Sequence, residues 1–474
     1  MRRTMLLLCL TAAASAAASD APRVGSEPSR TPANKSAAGW RAVDASATQL
    51  RYGEMSAQRI HRLQEENATR TGKPIQIGIA REAAVETAAG TLPSPTWNRL
   101  ADGSSVARIE FVSPLAYGVR AGLRIEGLDP RAELRFAGSA RPAQVVAVVR
   151  GAQVAGLAGD DGLYWTPSTD GERQVVEVWL PAGVSPTGVR LDAPRLSHLM
   201  TNAVDDFRIL KNVGGSGSCN INAVCRVGTL GQGYSLTKDA VARLTFVEDG
   251  GTYLCTGTLL NDTDNATQVP WFHTAHHCIS SAALAATLNT YWKYESTACG
   301  TNSLGEYVQL SGGADYLYSS DSASAGGTDG ALLRLRDGAP AGAVFAGWDA
   351  NTLPTGISVL AIHHPAGDLK KVSAGQHLPA QSHAASHAAR WLEGTTEKGS
   401  SGSGLFTLEA GNYYLRGGLH GGDASCANSN TTLAGNVDWY SRFDVDFPSI
   451  RQYLAPEQPA GPRRRNGSQP LRPR

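Results

Sequence analysis

The sequence predicts an all-β protein in two unlike halves, and three observations carry that expectation. Short runs of alternating apolar residues recur along the chain, separated by Gly, Pro, Asn and Asp clusters. Segments with helical periodicity are few. Six of the seven cysteines (219, 225, 255, 278, 299 and 426) follow a long stretch that has none after Cys9, so a boundary near residue 212 is expected. The length of 474 residues suits two or three domains, and 42% apolar against 18% charged residues is enough to fill sizeable cores. Lys+Arg 43 against Asp+Glu 42 leaves a net charge of +1, which argues against an electrostatic nucleic-acid binder.

In chain order, residues 1–18 read as a secretion signal. Arg2 and Arg3 are followed by an apolar stretch at 5–10 and a small-residue cleavage site at Ala16-Ala17-Ala18. A lipid-anchor reading of Cys9 meets Leu8 where a small residue is needed. No other segment offers eighteen uninterrupted apolar residues, so a soluble, secreted product without a membrane partner is expected. The six remaining cysteines then imply disulfides, with fifteen possible pairings.

Residues 19–211 predict a short helix at 58–66 and a strand at 74–80, where Ile75, Ile77 and Ile79 alternate. Strand-like runs follow at 106–112, 134–136, 145–149 and 175–180. This segment holds no catalytic constellation, and its isolated His61 and His198 read as surface or packing residues. Residues 212–455 read as short strands as far as Leu454, with few helices. The Pro/Gly-rich tail at 456–474, with five arginines, has no apolar face to bury and is expected to be disordered.

Three segments of the second half fit nucleophilic acyl transfer. Thr-Ala-His-His-Cys at 274–278 follows an apolar strand end, Thr328-Asp329 precedes an alternating strand, and Gly-Ser-Ser-Gly-Ser-Gly at 399–404 sets a serine in a tight glycine turn. A serine hydroxyl needs a base in contact, and a histidine held by a buried carboxylate supplies one near neutral pH. Glycines beside the serine let backbone N–H groups point at a developing oxyanion.

These residues, with Ser-Gly-Ser-Cys at 216–219, Cys-Thr-Gly-Thr-Leu-Leu-Asn at 255–261, Ile-His-His-Pro at 362–365 and Leu-Arg-Gly-Gly-Leu-His-Gly-Gly at 415–422, resemble the bacterial lysyl endopeptidase / protease IV family of chymotrypsin-fold serine proteases. The resemblance implies a trypsin-like double antiparallel β-barrel preceded by a mostly β propeptide. It implies His277 as general base, Asp329 as orienting carboxylate, Ser401 as nucleophile, and the N–H groups of Gly399 and Ser401 as oxyanion hole. His276 is then a neighbour. It also implies the disulfides Cys219–Cys426, Cys225–Cys299 and Cys255–Cys278, and no cofactor. The substrates implied are proteins and peptides cut after lysine. Asp438 is the candidate acid of the specificity pocket, with Asp444 and Asp446 as alternatives if the register slips. Choice of Lys over Arg comes from the family alone, since an acid serves both. His420 matches a histidine that stacks on a tryptophan in some members, but 381–390 offers none, and Trp391 reads as a separate position. His363 and His364 do not suggest a metal with His276 and His277, because adjacent residues of a strand face opposite ways.

Trypsin pairs a new amino terminus with an aspartate just before its serine; here that position is Ser400, so activation needs another cause. The leader at 19–211 is expected to assist folding, cover the cleft and leave by self-cleavage after Lys211, with Gly214 as the competing first residue. Lys-Pro-Ile-Gln-Ile-Gly at 73–78 resembles part of such a leader. A monomer is expected. A retained binding leader, a relaxed Lys/Arg protease and a non-catalytic binding homologue are the rival readings. Eight of the 43 basic residues are lysines and 35 are arginines. Only five lysines lie in 212–455, which suits an enzyme that must not cut itself, and GC-rich codon usage yields the same count.

Overall fold

The computed structural model describes residues 21–32, 38–42, 46–69, 74–203 and 215–457. Residues 1–18, expected to be a secretion signal, together with Lys73, Lys211, Gly214 and almost all of the tail, lie outside the described residues. No described helix is long and apolar enough to cross a membrane.

The N-terminal half folds as two facing sheets. One orders the strands Ala147–Arg150, Glu133–Gly138, Arg173–Leu180, Ser105–Val112 and Ala47–Arg51; the other orders Tyr164–Trp165, Gly118–Glu126, Arg190–Leu199 and Gly78–Glu82. Alternate residues meet between them: Ile109, Phe111, Phe136 and Val178 from the first pack with Val119, Ala121, Leu123 and Leu196 from the second. The helix Ala57–Thr69 forms where periodicity predicts one. The sequence reading missed the two long strands Gly118–Glu126 and Arg190–Leu199, whose alternation is broken by buried Arg120 and His198 and by an irregularity between Asp192 and Arg195.

The second half is a pair of barrels. Strands β1 (Val241–Glu248), β2 (Gly251–Leu260), β3 (Trp271–Ala275), β4 (Asn289–Trp292), β5 (Ala314–Ser319) and β6 (Gly330–Leu335) pair in the order β4-β1-β2-β3-β6-β5. Strands β7 (Ser358–His363), β8 (Lys371–His377), β9 (Ser386–Glu393), β10 (Gly404–Glu409), β11 (Asn412–Gly422) and β12 (Asp438–Ser441) pair in the order β11-β10-β7-β8-β9-β12. A further β11–β12 pairing closes that ring. Phe246, Phe272, Trp292 and Leu333 fill the first barrel, and Val359, Trp391, Leu405 and Tyr440 fill the second. The last stretch is a correction: residues Phe443–Leu454 form a helix, not a strand. Its Phe443, Phe447, Ile450 and Leu454 recur at helical spacing and bury against Trp348 in a cluster that also holds Leu332 of β6 and Leu360 of β7.

Disulfides join Cys219 to Cys426, Cys225 to Cys299 and Cys255 to Cys278. The last ties β2 to the turn after β3.

Candidate active site

That turn carries His277 directly before Cys278. Across the β3–β6 ladder, Ala275 faces Gly330, so Asp329 arrives beside the turn. Its backbone is left-handed, at φ 72°, and bonded on both sides. The Asp329 N–H donates to Ser320 O at 2.7 Å, and its C=O accepts the His276 N–H at 2.7 Å. Oδ1 accepts the His277 N–H at 3.0 Å, and Oδ2 lies 2.6 Å from His277 Nδ1. An ionised carboxylate only accepts, so Nδ1 carries the proton and Nε2 presents its lone pair.

Ser401 sits on a turn that glycine makes possible. Gly399 and Gly402 are left-handed, at φ 94° and 79°. A Cβ at 402 would lie 2.3 Å from Thr274 Oγ1 and 2.5 Å from Thr256 O. This close approach seats the turn on the floor of the first barrel, where the Thr256 N–H donates to Ser401 O at 2.8 Å. The N–H groups of Ser400 and Gly402 are spent on Glu397 O and Leu419 O, whereas those of Gly399 and Ser401 have no acceptor among the described residues. Ser401 Oγ and His277 Nε2 are both buried without a hydrogen-bond partner, so the bond between them is not made in this form. Such bonds are often long before substrate arrives and tighten in the complex.

Ser400 is held rather than free. Its hydroxyl accepts the Glu397 N–H at 3.2 Å and lies 2.8 Å from His363 Nδ1; His363 Nε2 lies 3.0 Å from Ser373 Oγ, which donates to Thr395 O at 2.8 Å. His363 therefore braces the turn. His364, on its own side, lies 3.0 Å from Asp368 O through Nδ1, and burial lowers its pKa well below the ordinary value. His276 faces Ser319 Oγ at 2.7 Å. None of the three converges with His277 on a common centre among the described residues.

Asp438 lies on β12 between Ala389 of β9 and Gly422 of β11 and is fully buried. Its Oδ2 accepts the Trp391 Nε1–H at 2.7 Å and the Thr396 hydroxyl at 2.5 Å. Asp444 instead pairs with Arg442, and Asp446 accepts Tyr318 OH at 2.9 Å and Thr328 Oγ1 at 2.6 Å beneath the start of β6. Of the three candidate acids, Asp438 is the one that bonds into the segment leading to Ser401. The His420 ring packs 5.9 Å from His277, tilted by 47°; burial lowers its pKa, with Asp329 opposing. Trp391 is spent on Asp438, and no tryptophan stacks on His420 among the described residues.

Models of the lysyl endopeptidase N-terminal and C-terminal domains match residues 51–200 and 213–441. The chain belongs to the lysyl endopeptidase family. A lysyl endopeptidase of Pseudomonas aeruginosa is 33% identical over 407 residues, 82% of this chain and 83% of that protein. Among solved structures, a thermostable serine protease, AL20, from an extremophilic microorganism matches 46% of this chain and 97% of its own, at 15% identity and a TM-score of 0.32.

As a lysyl endopeptidase family member the chain is a serine protease on a trypsin-like double barrel, and its substrates are peptides and proteins. The structure brings the residues named by the sequence motifs together, on supports that the motifs did not name. Trp391 and Thr396 orient Asp438, and Asp446 underpins the Asp329 turn. Their one sequence signal is that they are polar or aromatic residues in β-patterned surroundings, which many residues share.

Proposed function

We propose that this chain is the precursor of a secreted endopeptidase that cuts on the carboxyl side of lysine. The observation that carries the reading is the half-buried His277 bonded to buried Asp329, beside a serine turn whose Gly399 and Ser401 amides have no acceptor among the described residues. Ser401 Oγ attacks the carbonyl carbon while His277 Nε2 takes its proton, and the oxyanion settles on the two N–H groups. His277 then protonates the leaving amine, which departs and leaves an acyl-enzyme. A water, deprotonated by His277, repeats the attack and frees Ser401. Asp438, fixed by Trp391 and Thr396, pairs with the substrate ammonium. The preference for Lys over Arg follows the name of the Pseudomonas relative.

In the same reading, residues 1–18 direct export, and three disulfides suit an oxidising compartment. The leader at 19–211 acts as intramolecular chaperone and inhibitor and is released by cleavage after Lys211. The 212–455 protease domain works as a monomer.

Digesting a denatured protein with the purified enzyme and mapping the new ends tests the specificity. Cuts after Lys alone are expected, and cuts after Arg as well mean a relaxed enzyme. No cuts, and no fluorophosphonate on Ser401, overturn the reading. A pure Ser401→Ala precursor should stay whole at 211; cleavage there would exclude self-processing.

A further inference from the structure

The leader reaches the serine turn from two sides. Its strand Ile75–Gln76 adds to β2, with Ile75 opposite Leu254 and Gln76 opposite Tyr253, and the Ile77 N–H donates to Thr252 O at 2.7 Å. Ile75, Ile77 and Leu254 bury one another, and Pro74 is buried at the start of the strand. Leu254 in turn touches the turn itself, since a Cβ on Gly399 would lie 3.1 Å from Leu254 Cδ2. On the other flank Lys398, three residues before Ser401, donates from its ammonium to the carbonyls of Asn67 and, at 3.3 Å, Ala68. These belong to the last turn of the helix Ala57–Thr69, whose terminal carbonyls lack partners within the helix and carry its partial negative charge.

One buried side chain joins the two contacts. Asn67 donates through Nδ2 to Gln76 O at 2.8 Å and accepts the Gln76 N–H at 3.0 Å, as a neighbouring strand would. Gln76 is therefore paired with Tyr253 on one edge and with Asn67 on the other. The helix end and the strand act as one clamp over the turn. The clamp also has a side. Asp438 belongs to the second barrel and bonds into the turn through Thr396, whereas Leu254 belongs to the first. The strand Ile75–Gln76 thus lies on the first-barrel side of the turn, opposite the side on which Asp438 lies.

We propose that the β2 edge at Tyr253–Leu254, together with Lys398, is the surface on which the leader holds the protease inactive, its Ile75–Gln76 strand occupying the first-barrel side of the cleft. This rests on the reading of Ser401 as nucleophile. Backbone pairing with an apolar anchor is a known mode of peptide capture on a sheet edge.

The test is the rate at which a fluorophosphonate reagent labels the intact 474-residue chain, read on the full-length band so that processed enzyme does not count. Ile75→Asp should speed labelling at least tenfold over the unaltered chain. Lys398→Met, which keeps the apolar stem and leaves the leader untouched, should speed it several-fold. Val85→Asp, at an exposed leader position, should not change it. Wild-type rates for both folded Ile75→Asp and Lys398→Met chains overturn the clamp. If Ile75→Asp does not fold, Lys398→Met decides alone. No label on any chain, released enzyme included, overturns the nucleophile reading instead.

Discussion

Among the described residues Asp446 bonds to neither His277 nor Ser401, yet through Thr328 it holds the turn that holds His277. Burial raises its carboxyl from 3.8 to about 6, although bonds from Thr328 and Tyr318 pull the other way. The folded protein thus binds this proton more tightly than the unfolded chain. The ionised form costs stability, on the order of 3 kcal/mol in full, above about pH 6. That cost disappears as the pH falls through 6 towards 4. An amide still accepts both hydroxyl bonds, so Asp446→Asn should melt several degrees higher than the parent at pH 8, with the difference vanishing near pH 4. A melting point at pH 8 below the parent's would mean that the ionised carboxylate is the better acceptor by more than its burial costs. Asp438 is the opposite case, an acid proposed to be held for a cation. Asp438→Asn keeps the shape and loses the charge, and removing one partner of a buried pair costs about 2–5 kcal/mol. A fall of about 10²-fold or more in kcat/KM on lysyl substrates is expected, with Tm nearly unchanged. Lysyl kcat/KM within threefold of the parent would remove Asp438 from the pocket.

At the scale of elements, the site is three turns pinned to one floor. The 399–402 turn rests on β2 and β3 so closely that Gly402 has no room for a Cβ. Gly402→Ala should therefore fold poorly or lose fluorophosphonate labelling of Ser401, whereas Gly411→Ala, with the same sign of φ but open space, should keep it. Equal labelling of the two variants would show that the turn has slack. These turns were legible in the sequence because their chemistry is local: a His before a Cys, an Asp before an alternating run, a serine among glycines. The supports were not, since Trp391 reaches Asp438 across 47 positions and Thr328 reaches Asp446 across 118. The helix Phe443–Leu454 escaped because Pro448 lies inside it and Asp444 and Asp446 interrupt its apolar face. The N-terminal strands Gly118–Glu126 and Arg190–Leu199 escaped because a sandwich that docks on a second domain buries polar side chains too. Arg120, for instance, donates to Thr287 O of the protease half at 2.5 Å.

At the scale of the whole molecule, the scarcity of lysine becomes a matter of placement. The protease half has five, at 238, 293, 370, 371 and 398; the first, third and fourth are buried, Lys293 is half-buried, and Lys398 is half-buried with residues 67–68 over it. The Lys238 ammonium sits 2.7 Å from both Asp239 and Glu295; burial pulls its pKa down, but those two acids outweigh it and raise it. Lys370 is fully buried, donates to Lys238 O at 2.8 Å, and is drawn down to about 8 by burial. Lys371 donates to Asn222 Oδ1 at 2.6 Å and lies 3.3 Å from Asp368. Arg334, Arg336 and Arg451 stand exposed on the same half. Codon bias alone explains few lysines but not their burial, which is unusual for this residue type. An endopeptidase must draw an extended segment into its cleft, so a buried lysine is cut only after local unfolding, while an exposed arginine is safe only from an enzyme that refuses it. Thr432 lies on an exposed loop that tests both halves of the argument. At high enzyme concentration Thr432→Lys should lose activity with time, yielding a new amino terminus at Leu433, while Thr432→Arg and the parent persist. Persistence of Thr432→Lys would mean that lysine burial is not what protects the fold, and cleavage of Thr432→Arg would mean that the pocket accepts both cations.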